Sequence, residues 1–341
     1  MQYIACFRRR SMPVVYSAQS APYIGSASMP VRSQALDELR GVSMLLLVLV
    51  GPLLIFRATP AWLLHAPGEG LHAADLIVPM FLFALGIAYP ISLRRRLKTT
   101  GVTRTAFSFA RRYGLLLAFG LLGEVARYRD LTFAHWGMLE VIGLTGIVVF
   151  PLMFVSAGIR LLVGGLGLVA WQIALDHGYA ATAHTLDLGG PAATLAWTFI
   201  VLLGSILSEW RASMDRKKFL MFMACASVVG IVAAWSLGLY VPIDKHLVSI
   251  SYVLAGVGCA AGVFLCFECL EERGIVCNTC TSFGRNSILL YIIAGLEMVA
   301  IGQFIPPSLP FSLALLVAFG AYAPCHILAR VLDRKGIYIK I

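Results

Sequence analysis

Charged residues are scarce in this chain of 341 residues, where Asp, Glu, Lys and Arg together account for 13% of the sequence. Soluble domains usually contain about 25% charged residues, so the composition argues against a soluble protein. The sequence also lacks the Gly-rich motifs that bind phosphate between a strand and a helix. Hydrophobic residues reach 59% of the chain. This balance indicates a protein that lies mainly in a lipid bilayer.

The hydrophobic residues form blocks of about 18–22 residues, the length that crosses about 30 Å of hydrocarbon as a helix. Backbone groups in lipid need hydrogen-bond partners within their own segment, which favours helices, and the blocks lack the alternation of barrel strands. We therefore predict an all-α, polytopic membrane bundle of about ten transmembrane helices. The predicted spans are 41–57, 73–92, 110–126, 136–156, 160–176, 191–208, 218–239, 249–270, 286–303 and 310–329.

Basic residues are distributed unevenly between the connecting loops. Of the 27 Lys and Arg residues, only Arg57, Arg127, Arg129 and Lys245 fall in one set of loops, and 23 fall on the other side. Loops rich in Lys and Arg face the cytoplasm, so both termini are predicted to be cytoplasmic. The basic residues cluster beside hydrophobic blocks, which argues against a nucleic-acid partner despite the net charge of +10.

The same pattern divides the chain into three regions. Residues 1–38 are polar and rich in Ser, Ala and Pro, and they are predicted to form a loosely ordered cytoplasmic arm. No hydrophobic stretch follows the three arginines at 8–10, so we expect no cleaved signal peptide. Residues 39–332 form the predicted helical domain, and residues 333–341 form a short cytoplasmic tail.

The first external loop carries the strongest candidate for chemistry. His65 lies in this loop, and the next span opens with His72 and Asp75. An imidazole exchanges a proton near neutral pH, and a carboxylate in contact with it fixes its tautomer and raises its basicity. The alternative is that His65 is a solvated loop residue and Asp75 a charge favoured at a helix N-terminus.

Two further segments place polar groups beside predicted spans. Lys245 is the lone basic residue of its loop and lies between Asp244 and His246. It is either a substrate-binding group or an interfacial anchor. Arg285 and Asn286 open a span from the cytoplasmic side, where an Arg and a helix N-terminus suit a phosphate. The alternative for Arg285 is an ordinary positive charge on the inner side.

Two Cys-x-x-Cys pairs have a spacing that also occurs in zinc sites, Cys266 with Cys269 and Cys277 with Cys280. Cys266 lies inside a hydrophobic span, where Cys ordinarily acts as a small hydrophobic residue. We therefore expect no metal. Cys277 and Cys280 fall on the predicted cytoplasmic side, where thiols are kept reduced.

Three segments, read in order, resemble the heparan-α-glucosaminide N-acetyltransferase family of membrane acetyltransferases. ALDELRGVSMLLLVLVGPLL (35–54) is similar to the opening S-x-D-x-F-R-G and first helix of that family. The chain continues into HAPGEGLHAADLIVPMFLFALGIAYPIS (65–92), which is similar to H-A-x-W-x-G-L-x-x-A-D-L-x-F-P-x-F-x-F-x-x-G. VPIDKHLVSISYVLAG (241–256) resembles x-P-x-x-K-x-L-W-S-x-S-Y-V, and FGRNSILLYI (283–292) resembles x-G-x-N-S-I-L-x-Y.

The resemblance implies an activity that composition does not reveal. Members of the family move an acetyl group from cytoplasmic acetyl-CoA to an amino sugar on the far side of the membrane. By this resemblance His65 is the catalytic histidine and Asp75 its neighbouring acid. The Lys and Asn of the later motifs correspond to Lys245 and Asn286.

The sequence departs from the family pattern at several of these places. Gly51 stands where the first helix of the family usually ends in Asn. Glu140 and Val141 replace a Gln and an Arg, and Val248 replaces the Trp of the second motif. These departures fall on expected site residues and therefore leave room for a changed substrate or a changed activity.

We therefore expect a membrane-bound acyltransferase that moves an acetyl group from cytoplasmic acetyl-CoA to an amino sugar or other glycan. His65 would act as general base or carry the acyl group, and Asp75 would orient it. The expected contacts with substrate and acetyl-CoA are Lys245, Asn286, Arg285, Glu140 and His72.

Two alternatives stay open. One is a small-molecule transporter that uses Glu140 and Glu297, acids at membrane depth, as relays. The other is a catalytically inactive membrane scaffold derived from the family, which the departures at Gly51 and Val141 leave open. The family resemblance also allows a homodimer within the bilayer.

Overall fold

The computed structural model describes residues 33–129 and 133–338, and its regular elements there are helices. Residues 1–32 of the predicted arm, 1–38, lie outside the described residues, whereas 34–38 are not a loose arm but the first turn of a helix. The first long helix begins at Gln34, and the last ends at Arg334. The α-helices are α1 (Gln34–Val50), α2 (Ile77–Tyr128), α3 (Met138–Leu152), α4 (Ala157–Ala174), α5 (Ala180–His184), α6 (Thr194–Ser213), α7 (Arg216–Gly238), α8 (Ile250–Glu272), α9 (Asn278–Arg285), α10 (Ser287–Phe304) and α11 (Phe311–Arg334).

Length and hydrophobicity agree with the predicted all-α membrane bundle. In the described part of the chain, eight helical segments are long and hydrophobic enough to cross a membrane. Three of them, α7, α10 and α11, present large hydrophobic side chains at the surface, such as Trp235, Leu296 and Leu316. Lipid tails accept such side chains without the cost that water imposes. The molecule is therefore built as a multi-pass helical protein.

Helix α2 is a hairpin of two arms that reverse at Gly101. A straight helix would place Tyr89 and Tyr113 about 36 Å apart, yet their rings stack with centroids 5.5 Å apart. Gly101 makes the reversal with φ 76° and ψ 175°, a backbone conformation that is open to glycine. One of the eight long hydrophobic segments therefore folds back on itself at Gly101, and the 15-residue α3 is a shorter hydrophobic helix beside them.

Helices α2 and α6 form the buried centre of the bundle, where α2 packs on α3 and α6, and α6 packs on α4. Helix α1 lies beside this centre and contacts α2, α8, α9, α10 and α11. Helix α7 packs mainly on α8. These contacts bring the loops that precede α2 and α8 to the same end of the bundle, here called the site end. The opposite end, where α1 begins, is called the basic end.

The short helix α9 was not predicted from the sequence, and it packs directly on the first turns of α1. A Cβ atom at Gly41 would lie 1.8 Å from the backbone oxygen of Cys280. A Cβ atom at Gly284 would lie 1.7 Å from the backbone oxygen of Asp37. Only residues without a side chain permit so close an approach. The close contacts at Gly41 and Gly284 therefore hold α9 against α1 at the basic end.

Candidate active site

Two loops meet at the site end and form one unit. The first connects α1 to α2, and the second connects α7 to α8. Glu69 and Asp244 pair in an isolated antiparallel bridge, and the Gly70 amide donates to the Ile243 carbonyl at 2.7 Å. These backbone contacts fix the position of the second loop against the first.

Asp75 occupies the centre of this unit. It lies in a short 3-10 helix, Ala73–Leu76, that leads into α2, and its side chain is fully buried. Its Oδ2 atom accepts hydrogen bonds from the backbone amides of His72, at 2.9 Å, and Ala66, at 3.2 Å. The Tyr252 hydroxyl donates to the backbone oxygen of Asp75 at 2.7 Å. The carboxylate is thus held by backbone groups.

The second carboxylate oxygen, Oδ1, serves two side chains. His65 Nδ1 lies 2.7 Å from it, and Lys245 Nζ lies 3.6 Å from it. An ionised carboxylate only accepts hydrogen bonds, so this contact assigns the proton of a neutral His65 to Nδ1. The basic nitrogen is then Nε2, on the other side of the ring. The His65 side chain is 37% exposed, which gives the imidazole access to a reactant.

Lys245 forms a nearly buried ion pair with Asp75. Its side chain is 11% exposed, whereas that of Asp75 is 0% exposed. Burial lowers the pKa of Lys245 from its ordinary value, and the negative charge of Asp75 opposes that effect. An ammonium group this far from water depends on its counter-charge. The pair therefore links the two loops electrostatically.

Further histidines and acids surround this centre. His135 Nδ1 lies 3.5 Å from Asp187 Oδ2, and His184 Nε2 lies 4.0 Å from Asp244 Oδ2. Burial, together with the charge of Lys245, lowers the pKa of His246. The structure therefore gathers polar residues from four loops that the sequence places far apart.

His72 stabilises the first loop. Its backbone amide donates to Asp75, and its ring Nδ1 lies 2.9 Å from the carbonyl oxygen of Leu64. These contacts hold the residue that precedes His65. The expected role of His72 in substrate binding stays a prediction, but its contacts are those of a residue that positions His65.

Arg285 and Asn286 lie at the opposite end of the bundle from His65. Arg285 Nη1 lies 2.7 Å from Asp333 Oδ1, and its Nε lies 3.5 Å from Asp37 Oδ2. Asn286 is fully buried at the junction of α9 and α10. Asp37 is in the first turn of α1, and the 17 residues of that helix span about 25 Å. The structure therefore does not bring Arg285 or Asn286 to the site end.

The basic segment 94–98 also lies at the basic end, in the last turns of the first arm of α2. Arg94 is occupied by Glu209, at 3.1 Å, and Glu209 is also paired with the buried Arg160. Arg95, Arg96 and Lys98 are exposed. Because an exposed guanidinium or ammonium group suits a phosphate, these three residues fit a phosphate-bearing ligand better than Arg285 does.

Glu140 lies in a separate buried group of acids. It is the third residue of α3 and is 1% exposed. A Cβ atom at Gly120 would lie 2.3 Å from its carboxyl carbon, and its Oε1 atom has no hydrogen-bond partner among the described residues. Glu124 and Tyr291 lie within electrostatic range of Glu140.

Within 33–129 and 133–338, no three His, Cys, Asp or Glu side chains form a cluster suited to a metal ion.

Sequence reasoning left several positioning groups unassigned. The amide of Ala66 and the hydroxyl of Tyr252 both hold Asp75. Ser249 Oγ accepts from the Asp244 amide at 3.1 Å and caps α8 through the Tyr252 amide. Ser249 and Tyr252 belong to the segment SISY, which lies inside the second of the motifs quoted above. The sequence therefore shows the motif, but only the folded chain shows that its Tyr252 contacts Asp75.

Comparison with known proteins gives one family match. Residues 32–160 match a family described as a domain of unknown function, DUF5009. No curated protein matches the chain. The matched region contains His65, His72, Asp75 and Glu140, whereas Lys245 lies beyond it. The match covers less than half of the chain and carries no activity.

Proposed function

We propose that the protein is a membrane-bound acyltransferase that moves an acetyl group from acetyl-CoA to an amino sugar or another glycan. The observation that carries this proposal is the hydrogen bond between His65 Nδ1 and the buried carboxylate of Asp75, at 2.7 Å. A histidine held in this way presents Nε2 as a general base. The segments that carry the resemblance to membrane acetyltransferases include both residues.

The proposed reaction uses His65 at a single atom. The acceptor amine or hydroxyl loses a proton to Nε2 while its lone pair attacks the thioester carbonyl. The carbon–sulfur bond then breaks, and the coenzyme A thiolate leaves and takes a proton. Asp75 holds the Nδ1 proton and stabilises the imidazolium that forms. A route through an acyl group on the same Nε2 also balances, and trapping of an acyl-histidine separates the two routes.

Lys245 has a defined part in this proposal. Its ammonium group stabilises the ionised form of Asp75, whose side chain has no contact with water. It also lies beside His65 and is placed to attract the negative charge that develops on the thioester oxygen. Asn286, the other expected candidate for that role, lies at the basic end and is assigned no part in it.

Acetyl-CoA would approach from the basic end, which we infer to face the cytoplasm because most Lys and Arg residues lie there. Its phosphates would contact Arg95, Arg96 and Lys98, which are exposed. If each arm of α2 crosses the membrane and α3 does so as well, the chain would have ten membrane spans with both termini on the cytoplasmic side. The acceptor would be bound at the site end, between the loops that carry His65 and Lys245.

The test is acetyl transfer by the purified full chain in lipid nanodiscs. Labelled acetyl-CoA and a panel of amino sugars are supplied, and both acetylated product and free coenzyme A are measured. His65→Ala is expected to lower the rate by about 10²–10⁴-fold, the usual effect of losing a general base. The matched control is His177→Ala, which replaces an exposed histidine at the same end. Undiminished transfer by folded His65→Ala would overturn the proposal.

A transporter is the second candidate, and the buried Glu140 is the observation that favours it. An acid with an oxygen that lacks a partner among the described residues suits binding of a proton or cation within the membrane. Gradient-driven uptake into proteoliposomes without acetyl-CoA, lost in Glu140→Gln, would support this function. Failure of both assays would favour the inactive scaffold.

A further inference from the structure

Two cysteines are in contact at the start of α9, at the basic end. Cys277 is the N-cap residue of this helix, and Cys280 lies in its first turn. Their Sγ atoms are 2.7 Å apart, and both are free thiols. Cys277 is half-buried, whereas Cys280 is only 6% exposed. One thiol is therefore accessible, and its neighbour is held behind it.

We propose that Cys277 and Cys280 form a redox-active dithiol, a modification site for small disulfides of the glutathione class. Cys277 is the attacking thiol, and Cys280 is the resolving thiol. The site is at the opposite end of the bundle from His65, so the proposal does not depend on the proposed acyl transfer.

The position of Cys277 favours its reactivity. Its sulfur is the more accessible of the two, so a small disulfide in solution reaches Cys277 before Cys280. The buried thiol behaves differently, because burial, together with Cys277 and Glu38, raises the pKa of Cys280. Cys280 therefore keeps its proton until the neighbouring sulfur is oxidised. The two roles follow from one exposed and one buried position.

The local backbone allows the pair to close. A disulfide needs Cβ atoms about 3.5–4.5 Å apart, whereas residues three apart in a regular helix have Cβ atoms about 5–6 Å apart. The helical spacing does not apply to Cys277, because its ψ of 85° lies outside the helical range. The other pair, Cys266 and Cys269, lies inside α8 and has helical neighbours on both sides. The chain thus contains a matched control with the same spacing.

The surrounding contacts fix Cys277 and Cys280 in place. The Cys277 amide donates to Glu38 Oε1 at 2.7 Å, which ties the start of α9 to α1. The backbone of Cys280 lies directly against Gly41. Since both thiols are anchored to the same part of α1, little backbone movement separates the reduced pair from a disulfide.

The reaction balances with a small disulfide as oxidant. The Cys277 thiolate attacks one sulfur of the disulfide, whose sulfur–sulfur bond breaks, and the first small thiolate leaves and takes a proton. Cys280 then loses its proton and attacks the Cys277 sulfur, which releases the second small thiol. Two cysteine thiols are oxidised, and one small disulfide is reduced to two thiols.

Peptide masses test the proposal on the full chain in nanodiscs. The protein is equilibrated with oxidised glutathione, its remaining thiols are alkylated, and it is then unfolded and digested with trypsin. Peptide 274–285 contains Cys277 and Cys280, and peptide 246–273 contains the control pair. We expect the first peptide to carry a disulfide and the second to be alkylated at Cys266 and Cys269. Excess reduced glutathione should restore alkylation of the first peptide.

Two variants assign the roles. Cys280→Ser should retain a mixed disulfide with glutathione on Cys277, because the resolving thiol is gone. Cys277→Ser should form an adduct at Cys280 at least about ten times more slowly, since that thiol is buried. Full alkylation of wild-type peptide 274–285 in oxidised glutathione would overturn the proposal. Equal adduct rates in the two variants would overturn the assignment of attacking and resolving thiols.

Discussion

Replacing Asp75 with Asn removes one charge and changes the side-chain volume little, so it isolates the electrostatic role of this residue. In the native chain the Lys245 ammonium lies 3.6 Å from the Asp75 carboxylate, and only 11% of the Lys245 side chain is exposed. Asp75→Asn leaves that ammonium without its counter-charge. Breaking a buried ion pair from one side costs about 3–5 kcal/mol, and we expect a loss of stability of that size.

The measurement is the free energy of unfolding in a mild detergent, with Asp187→Asn as the control. Asp187 also pairs with a side chain from another loop, His135, at 3.5 Å, but its own side chain is 59% exposed. An exposed pair contributes about 0–1 kcal/mol, so the control should lose no more than that. Equal losses in the two variants would refute the assignment of a buried pair.

A double substitution separates the charge pair from the proposed catalytic role of Asp75. Asp75→Asn with Lys245→Met removes both charges, so the unpaired ammonium is no longer present. We expect the double variant to be more stable than Asp75→Asn alone, which a double-mutant cycle measures as a coupling energy. The proposed acetyl transfer should be lost in Asp75→Asn and in the double variant alike, because His65 lacks its carboxylate in both. Independent, additive effects of the two substitutions would contradict the contact.

The remaining predictions concern pH and two glycines. Burial lowers the pKa of Lys245 in the folded state, so the unfolded chain binds more protons between that lowered pKa and 10.5. The unfolding free energy of the wild type should therefore rise with pH across that range relative to that of Lys245→Met. A difference that does not change with pH would contradict this prediction. Gly101→Ala should cost about 1–3 kcal/mol, because φ 76° with ψ 175° is a backbone conformation that only glycine adopts readily. Gly165→Ala, in the middle of α4 with no atom near the added methyl group, should be neutral or stabilising by up to about 1 kcal/mol. Gly284→Ala forces a methyl group into the α1 backbone and should lower the free energy of unfolding by at least about 3 kcal/mol. The Gly295→Ala variant, where the added methyl group meets open space, should unfold like the wild type when both are denatured in the same detergent.

The lengths of the hydrophobic blocks predicted the helical membrane fold, because each block must satisfy a length requirement within its own segment. Each span needs enough consecutive hydrophobic residues to cover the hydrocarbon, and that number is visible in the sequence. Helix α9 was missed because its residues, NTCTSFGR, are largely polar. It is stabilised by packing of Gly41 and Gly284 between helices that are more than 200 residues apart in the chain. A pattern of neighbouring residues does not show a packing partner that is distant in the sequence.

The candidate site shows the same division. His65 and Asp75 are ten residues apart, and their pairing could be predicted from one loop. Lys245 was suggested by the family resemblance, since nothing in its own loop points to Asp75. Arg285 was expected to bind a phosphate, but Asp37 and Asp333 already neutralise it. Charge counting identifies a basic residue, whereas only the folded chain identifies its partner.

The contacts of Asp75 fit the part that we propose for it in a reaction that moves protons beside it. Its Oδ2 atom is fixed by backbone amides of the first loop, so the side chain cannot turn away when His65 changes its charge. Its Oδ1 atom is shared between His65 and Lys245. A buried carboxylate is costly to ionise without a cation nearby, and a neutral imidazole supplies none. Lys245 supplies that cation from the second loop whether or not His65 carries an extra proton. Asp75 can therefore keep its negative charge throughout the proposed cycle, while Nε2 of His65 alone gains and loses the proton.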